Sequence, residues 1–115
     1  LVGYNLEQTS SSGRNEFNTI VSPYGGLLKK VVLRSEAASL TTVVGFHKSS
    51  TGTEVPNGTA TEEITVEMAV DDTAYTAEFT SAAEFVAGDI LAISVTPEAA
   101  VNDLVWTAVF EYRGV

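Results

Sequence analysis

The chain has 115 residues, a single histidine, His47, and no cysteine. A Ser-His-Asp relay would need that imidazole beside a nucleophile on a strained turn, and no Gly-x-Ser-x-Gly segment occurs. Zinc held by protein ligands calls for several His or Cys side chains, so no such metal site is expected. A lone histidine in an alternating stretch reads instead as a surface or half-buried residue. The acids supply oxygen ligands. Glu63, Glu67 and Glu78 fall on the outer side of two alternating stretches, and Asp71 and Asp72 lie at the turn between them. Calcium takes about six to eight oxygens, often from one loop of alternating acids. No Asp-x-Asp-x-Asp-Gly segment is present, so the acids read as a solvated face. Pairs of carboxylates can also hydrolyse glycosides, but nothing in the pattern implies a substrate cleft. Gly25-Gly26 and Gly88-Asp89 are turn chemistry, outside any glycine-rich phosphate loop. No catalytic residue, metal or cofactor is expected.

The aromatic residues suggest binding instead. Trp106, Tyr4, Tyr24, Tyr75 and Tyr112 have the side chains of a sugar-stacking platform. Trp106 and Tyr112, however, share one stripe of an alternating strand and read as core. Tyr24, in the turn Pro23-Tyr24-Gly25-Gly26, is the best exposed candidate. It suits an anchor at a protein contact or a stacking surface for a sugar.

Strands must position these residues, since side chains alternate faces along a strand. Leu91, Ile93 and Val95 form one stripe; Leu104, Trp106, Ala108, Phe110 and Tyr112 form another. Val2, Tyr4 and Leu6 suggest a short strand before a Ser-Gly loop, and residues 16–22 a weaker one. Leu27 to Ser35 reads as a strand with Leu27, Lys29, Val31 and Leu33 on one face and Leu28, Lys30, Val32 and Arg34 on the other. Its mixed faces suit either a subunit contact or an edge strand guarded by lysine. Glu36 to Ser39 is a connection or a single helical turn. Leu40 to Lys48 is a strand in which Gly45 marks a bulge or a close backbone approach. Ser49 to Gly58 is a long polar loop, the kind that carries recognition. Glu63 to Val70, with Ile64, Val66, Met68 and Val70 inward, and Tyr75 to Thr80, with Tyr75, Ala77 and Phe79 inward, read as a hairpin. Pro97 to Asp103 joins the last two strands. The total is seven or eight strands with no convincing helix, an antiparallel β-sandwich.

Composition narrows the partners. The length suits one domain. Fifteen acidic and six basic residues give a net charge of −9. Such a chain repels nucleic acid, whose binding depends on lysine and arginine, and it avoids anionic membranes. Apolar runs are too short for a membrane helix. Absence of cysteine fits a reducing cytoplasm as the place of synthesis.

The stretch Phe85-Val86-Ala87-Gly88-Asp89, then Leu91, Val95, Thr96 and Pro97, then Asn102-Asp103 and the closing Val105 to Tyr112, resembles a compact jelly-roll module found in structural proteins of tailed bacteriophages. Similar Ala-Gly-Asp turns occur in trimeric jelly rolls of the tumour-necrosis-factor and complement type. The resemblance implies an all-β jelly roll, residues 27–115, preceded by residues 1–26 as an N-terminal arm or an edge strand plus turn. It implies a non-enzymatic virion protein, made in the host cytoplasm, that decorates the outer capsid surface as a homotrimer and stabilises the shell. Its partner would be the major capsid protein. Contact candidates for capsid or neighbouring subunits are Val2, Tyr4, Leu6, Tyr24, Leu28, Lys30, Val32 and Arg34, and deleting residues 1–12 should weaken capsid binding and spare the fold. The alternative is a head- or tail-fibre tip that recognises a receptor or cell-surface glycan through residues 49–58 and 97–103. A cellular carbohydrate-binding or adhesion domain is a third reading.

Overall fold

In a computed structural model of the chain, residues 2–11, 15–52 and 59–113 are described, with side chains from Ile20 onward. Nine strands form among them: β1 (Val2–Ser11), β2 (Asn15–Val21), β3 (Gly25–Arg34), β4 (Leu40–Ser49), β5 (Glu62–Met68), β6 (Tyr75–Glu78), β7 (Glu84–Phe85), β8 (Ile90–Thr96) and β9 (Val101–Arg113). Two antiparallel sheets result, one ordered β1-β9-β3-β6 with β7 also on β3, the other β2-β8-β4-β5. Six of the eight connections between these strands cross from one sheet to the other, and the strand orders are those of the jelly-roll form of the β-sandwich. The connection from Glu36 to Ser39 has bends and no helical turn.

The core lies between the sheets. Leu28, Val31, Leu33, Val44, Phe46, Met68, Phe85, Leu91, Ile93, Val95, Leu104, Trp106 and Phe110 are all buried in one cluster. Each fully buried side chain of this size contributes about 1.5–3 kcal/mol, so the alternating stripes of β8 and β9 supply much of the driving force. Phe85 is the hub at one end, in edge-to-face contact with Phe110 at 5.7 Å and Tyr112 at 6.2 Å.

Residues 1–26 contribute to both sheets. Val2, Tyr4 and Leu6 pair with Phe110, Ala108 and Trp106 of β9, and β2 pairs with β8. The sandwich therefore includes β1 and β2. Deleting residues 1–12 would strip β9 of one neighbour along its length, so the fold would not be spared.

Three local expectations need correction. First, β3 does not alternate evenly. Its register against β9 shifts between Leu28 and Lys30, and the Phe79 amide donates to the Lys29 carbonyl at 2.9 Å. This bulge turns Leu28 inward, fully buried with Val31 and Leu33. Leu27 is buried but lies outside that cluster, in phase with Lys30, Val32 and Arg34. Second, β5 and β6 do not form a hairpin. β5 is an edge of one sheet beside β4, and β6 an edge of the other beside β3. The turn between them crosses from sheet to sheet, anchored by the Asp72 amide donating to the Ser35 carbonyl at 2.9 Å. Third, Val70 lies past the end of β5 and is 59% exposed, so it does not join Ile64, Val66 and Met68.

Candidate contact surfaces

The connections sort into two ends. At one, the β2–β3 turn meets the β7–β8 turn. The Ser22 amide donates to the Asp89 carbonyl at 2.9 Å, and the Gly88 amide donates to the Ser22 carbonyl at 2.8 Å. Asp89, buried, accepts the Val86 amide at 3.0 Å through Oδ2. Gly88 takes φ +91°, a conformation that suits glycine. Pinned this way, the two turns hold Val21 (66% exposed), Val86 (60%) and Tyr24 (40%) in solvent. Tyr24 packs edge-on against Tyr112 at 5.5 Å. Behind them lies a shallow depression of about 230 Å³ lined by Gly25, Gly26, Glu84, Phe85, Val86 and Arg113. Arg113 is paired with Glu111 at 2.7 Å, and Lys48 Nζ donates to the Glu84 carbonyl. The Arg113 hydrogen bond is the main reason the Glu111 carboxyl is held below its ordinary value. Sequence reasoning found Tyr24 here and missed Val21 and Val86. A valine between Phe85 and the Ala-Gly-Asp turn was the available signal.

The other end is acidic. Glu36, Asp71, Asp72, Glu98 and Asp103 are exposed there, on the β3–β4 and β5–β6 connections and around the β8–β9 join. Asp71 accepts the Ala38 amide at 2.8 Å and Glu98 the Thr41 amide at 3.1 Å. A hydrogen bond with Asp103, and then the charges of Asp103 and Asp72, raise the Glu36 carboxyl above its ordinary value. Leu40, Asp72 and Asp103, all with positive φ, are at this end too. Among the described residues no group of three His, Asp or Glu is placed to hold a metal ion.

Three further contact candidates, Lys30, Val32 and Arg34, sit on the outer face of the β1-β9-β3-β6 sheet. Lys30 and Arg34 are exposed and Val32 half-buried. Opposite them on β9 are Val109, Thr107 and Val105. Among the described residues no carboxylate forms an ion pair with Lys30 or Arg34. Leu28, buried in the core, is not a surface contact. The backbones of Val2, Tyr4 and Leu6 pair with β9; their side chains lie outside the described residues.

His47 is buried, contrary to the surface or half-buried reading. It lies on the outer face of the second sheet, with Nε2 and Ser94 Oγ 2.8 Å apart. Ser94 is mid-strand and equally buried, so the pair gives a substrate no access. The close approach expected at Gly45 is present: a Cβ there would lie 2.5 Å from Ser94 Oγ and 3.1 Å from His47 Nε2, with Ala60 of the β4–β5 connection at 3.3 Å. The outer face of this sheet is therefore partly roofed.

Of the two loops expected to share a glycan site, the described start of the first, residues 49–52, and the second, residues 97–103, are at opposite ends. Ser49 pairs with Ile90 at the start of β8, whereas Val43 pairs with Thr96 at its end. Residues 97–100 follow at the acidic end, about 20 Å from Ser49 at the usual rise per residue. Residues 53–58 of the first loop lie outside the described residues. Comparison with protein families, characterised proteins and solved structures gives no match.

Proposed function

We propose that the chain is a non-enzymatic structural protein of a phage particle that binds the outer capsid surface as a decoration protein, docking through the end that carries Val21, Tyr24 and Val86. The observation behind this reading is the contrast between the ends. One groups Val21, Tyr24 and Val86 in water, beside Lys48, Glu84 and Arg113; Leu40 and Val70 are exposed at the opposite end, but amid five exposed carboxylates. The other concentrates like charge, which favours hydration over contact. Exposed aromatic and aliphatic anchors rimmed by polar groups mark protein contacts. A protein that binds the assembled lattice and not its separated parts stabilises the shell by mass action. A fibre tip reading glycans is less favoured, because residues 49–52 and 97–103 lie at opposite ends of the sandwich.

The experiment is cosedimentation of the purified chain with intact heads of the particle that carries it, followed by heating of the loaded heads. The expected result is saturable binding and a higher temperature of shell disruption. Heads that sediment without the chain would end the capsid reading; a glycan array positive for the same sample would replace it with the fibre-tip reading.

A further inference from the structure

We propose that the outer face of the β3–β9 pair is a self-association surface whose occupant is the β5 face of a second copy of this chain. The argument is charge complementarity at matched spacing. Lys30 and Arg34 are four positions apart on the outer face of β3 with Val32 between them, so their Cα atoms are about 13 Å apart along the strand. Glu63 and Glu67 are likewise four positions apart on β5 with Thr65 between them, and all three are exposed. Glu63, Thr65 and Glu67 pair with Gly45, Val43 and Thr41, which puts them on the outer face of the second sheet. One copy's basic pair thus meets its partner's acidic pair at the same interval.

The surrounding residues agree with a flat contact. Val105 is 37% exposed, and Val32, Thr107 and Val109 are half-buried. Glu78, opposite Lys30 on β6, is a carboxylate at the margin, and Glu111 is engaged by Arg113. In a chain of net charge −9, this basic strip would gain most from an acidic partner, and β5 presents one on every copy. The two surfaces differ, so the contact is head-to-tail. Such contacts close into a ring when the rotation between copies permits, and for closure at three copies the inference rests on the phage reading, whose resemblance implies a homotrimer.

The test is sedimentation velocity of the full chain across the micromolar range, in about 0.15 M and 1 M salt, where the screening length falls from about 8 to 3 Å. Reversible assembly that weakens in high salt is expected. Lys30→Glu with Arg34→Glu, and separately Glu63→Lys with Glu67→Lys, should each raise the dissociation constant at least about tenfold. All four reversals together should restore assembly. A wild-type monomer throughout, assembly indifferent to both double variants, or a four-fold variant that stays apart with wild-type circular dichroism would each overturn the proposal. Carbodiimide cross-linking of mixed isotope-labelled and unlabelled wild-type chain needs no variant. Links from Lys30 to Glu63 or Glu67 between copies are expected, and links confined within copies contradict it. If Lys30→Glu with Arg34→Glu abolishes head binding and leaves assembly intact, the face belongs to an acidic coat surface instead. Head binding through Tyr24 and Val86 is measured separately, so either reading can fail alone.

Discussion

The two ends of the sandwich use the same device, a carboxylate accepting a loop amide, to different effect. At the turn end Asp89 is buried, braces Val86 at 3.0 Å and leaves valine and tyrosine side chains outside. At the acidic end Asp71 is exposed and ties Ala38 at 2.8 Å within a group of like charges. One end uses Asp89 internally and groups three apolar side chains outside; the other keeps its carboxylates in water around Leu40 and Val70. Docking is cheaper where less must be desolvated or ordered, so the contrast orients the molecule.

The largest expected effect falls on the aromatic cluster under the turn end. Phe85→Ala removes the hub that Phe110 and Tyr112 pack against and should cost about 3–5 kcal/mol. Met68→Ala, at the acidic end beside Ser39, should cost less, and urea denaturation compares them. If Met68→Ala cost more, the turn end would not be the better-braced one.

Next come the two carboxylates. Asp89→Ala leaves the Val86 amide, at a part-buried bond, without its acceptor and should cost about 1–3 kcal/mol. Asp71→Ala, at an exposed bond that water can replace, should stay within about 0.5 kcal/mol. Thermal melts of both variants check the order.

The smallest effect is a titration. Glu36 should take up its proton at a higher pH than an ordinary glutamate, and Asp103→Asn should lower that pH, by carbon-detected NMR. Its carboxyl is raised in the folded state, so its ionised form disfavours folding at neutral pH. That penalty lifts as pH falls through the Glu36 titration, toward and past the ordinary value of 4.5. A Glu36 that titrates at or below the ordinary value would remove the crowding argument.

What the sequence made legible was local. The stripes Leu91-Ile93-Val95 and Leu104-Trp106-Ala108-Phe110 are buried as their spacing predicts, Gly88-Asp89 forms a turn as read, and Pro97 follows the end of β8, where the join to the last strand was placed. What was hidden depended on partners distant in sequence. Leu28 turns inward because a bulge sits at Lys29, set by pairing with β9 and β6. Alternation in β5 and β6 could not reveal that they belong to different sheets, since an edge strand of either sheet shows the same pattern. His47 is buried beside Ser94 on an outer face that alternation assigns to solvent, with Ala60 of the β4–β5 connection packed close at neighbouring Gly45. The separation of residues 49–52 from 97–103 follows from strand order, which no short stretch encodes. Of the contact candidates, exposure at Tyr24, Lys30 and Arg34 was legible, and the apolar company of Tyr24 was not.

The central claim, that the apolar end docks and the acidic end does not, is tested most directly by the head-binding affinity of two paired variants. Tyr24→Ala with Val86→Ser should bind heads at least about tenfold more weakly, with wild-type circular dichroism at the assay temperature. Asp71→Ser with Glu98→Ser, at the opposite end, should bind as the wild type does or slightly better. Loss of binding in the acidic-end pair and none in the turn-end pair would reverse the orientation and contradict the account.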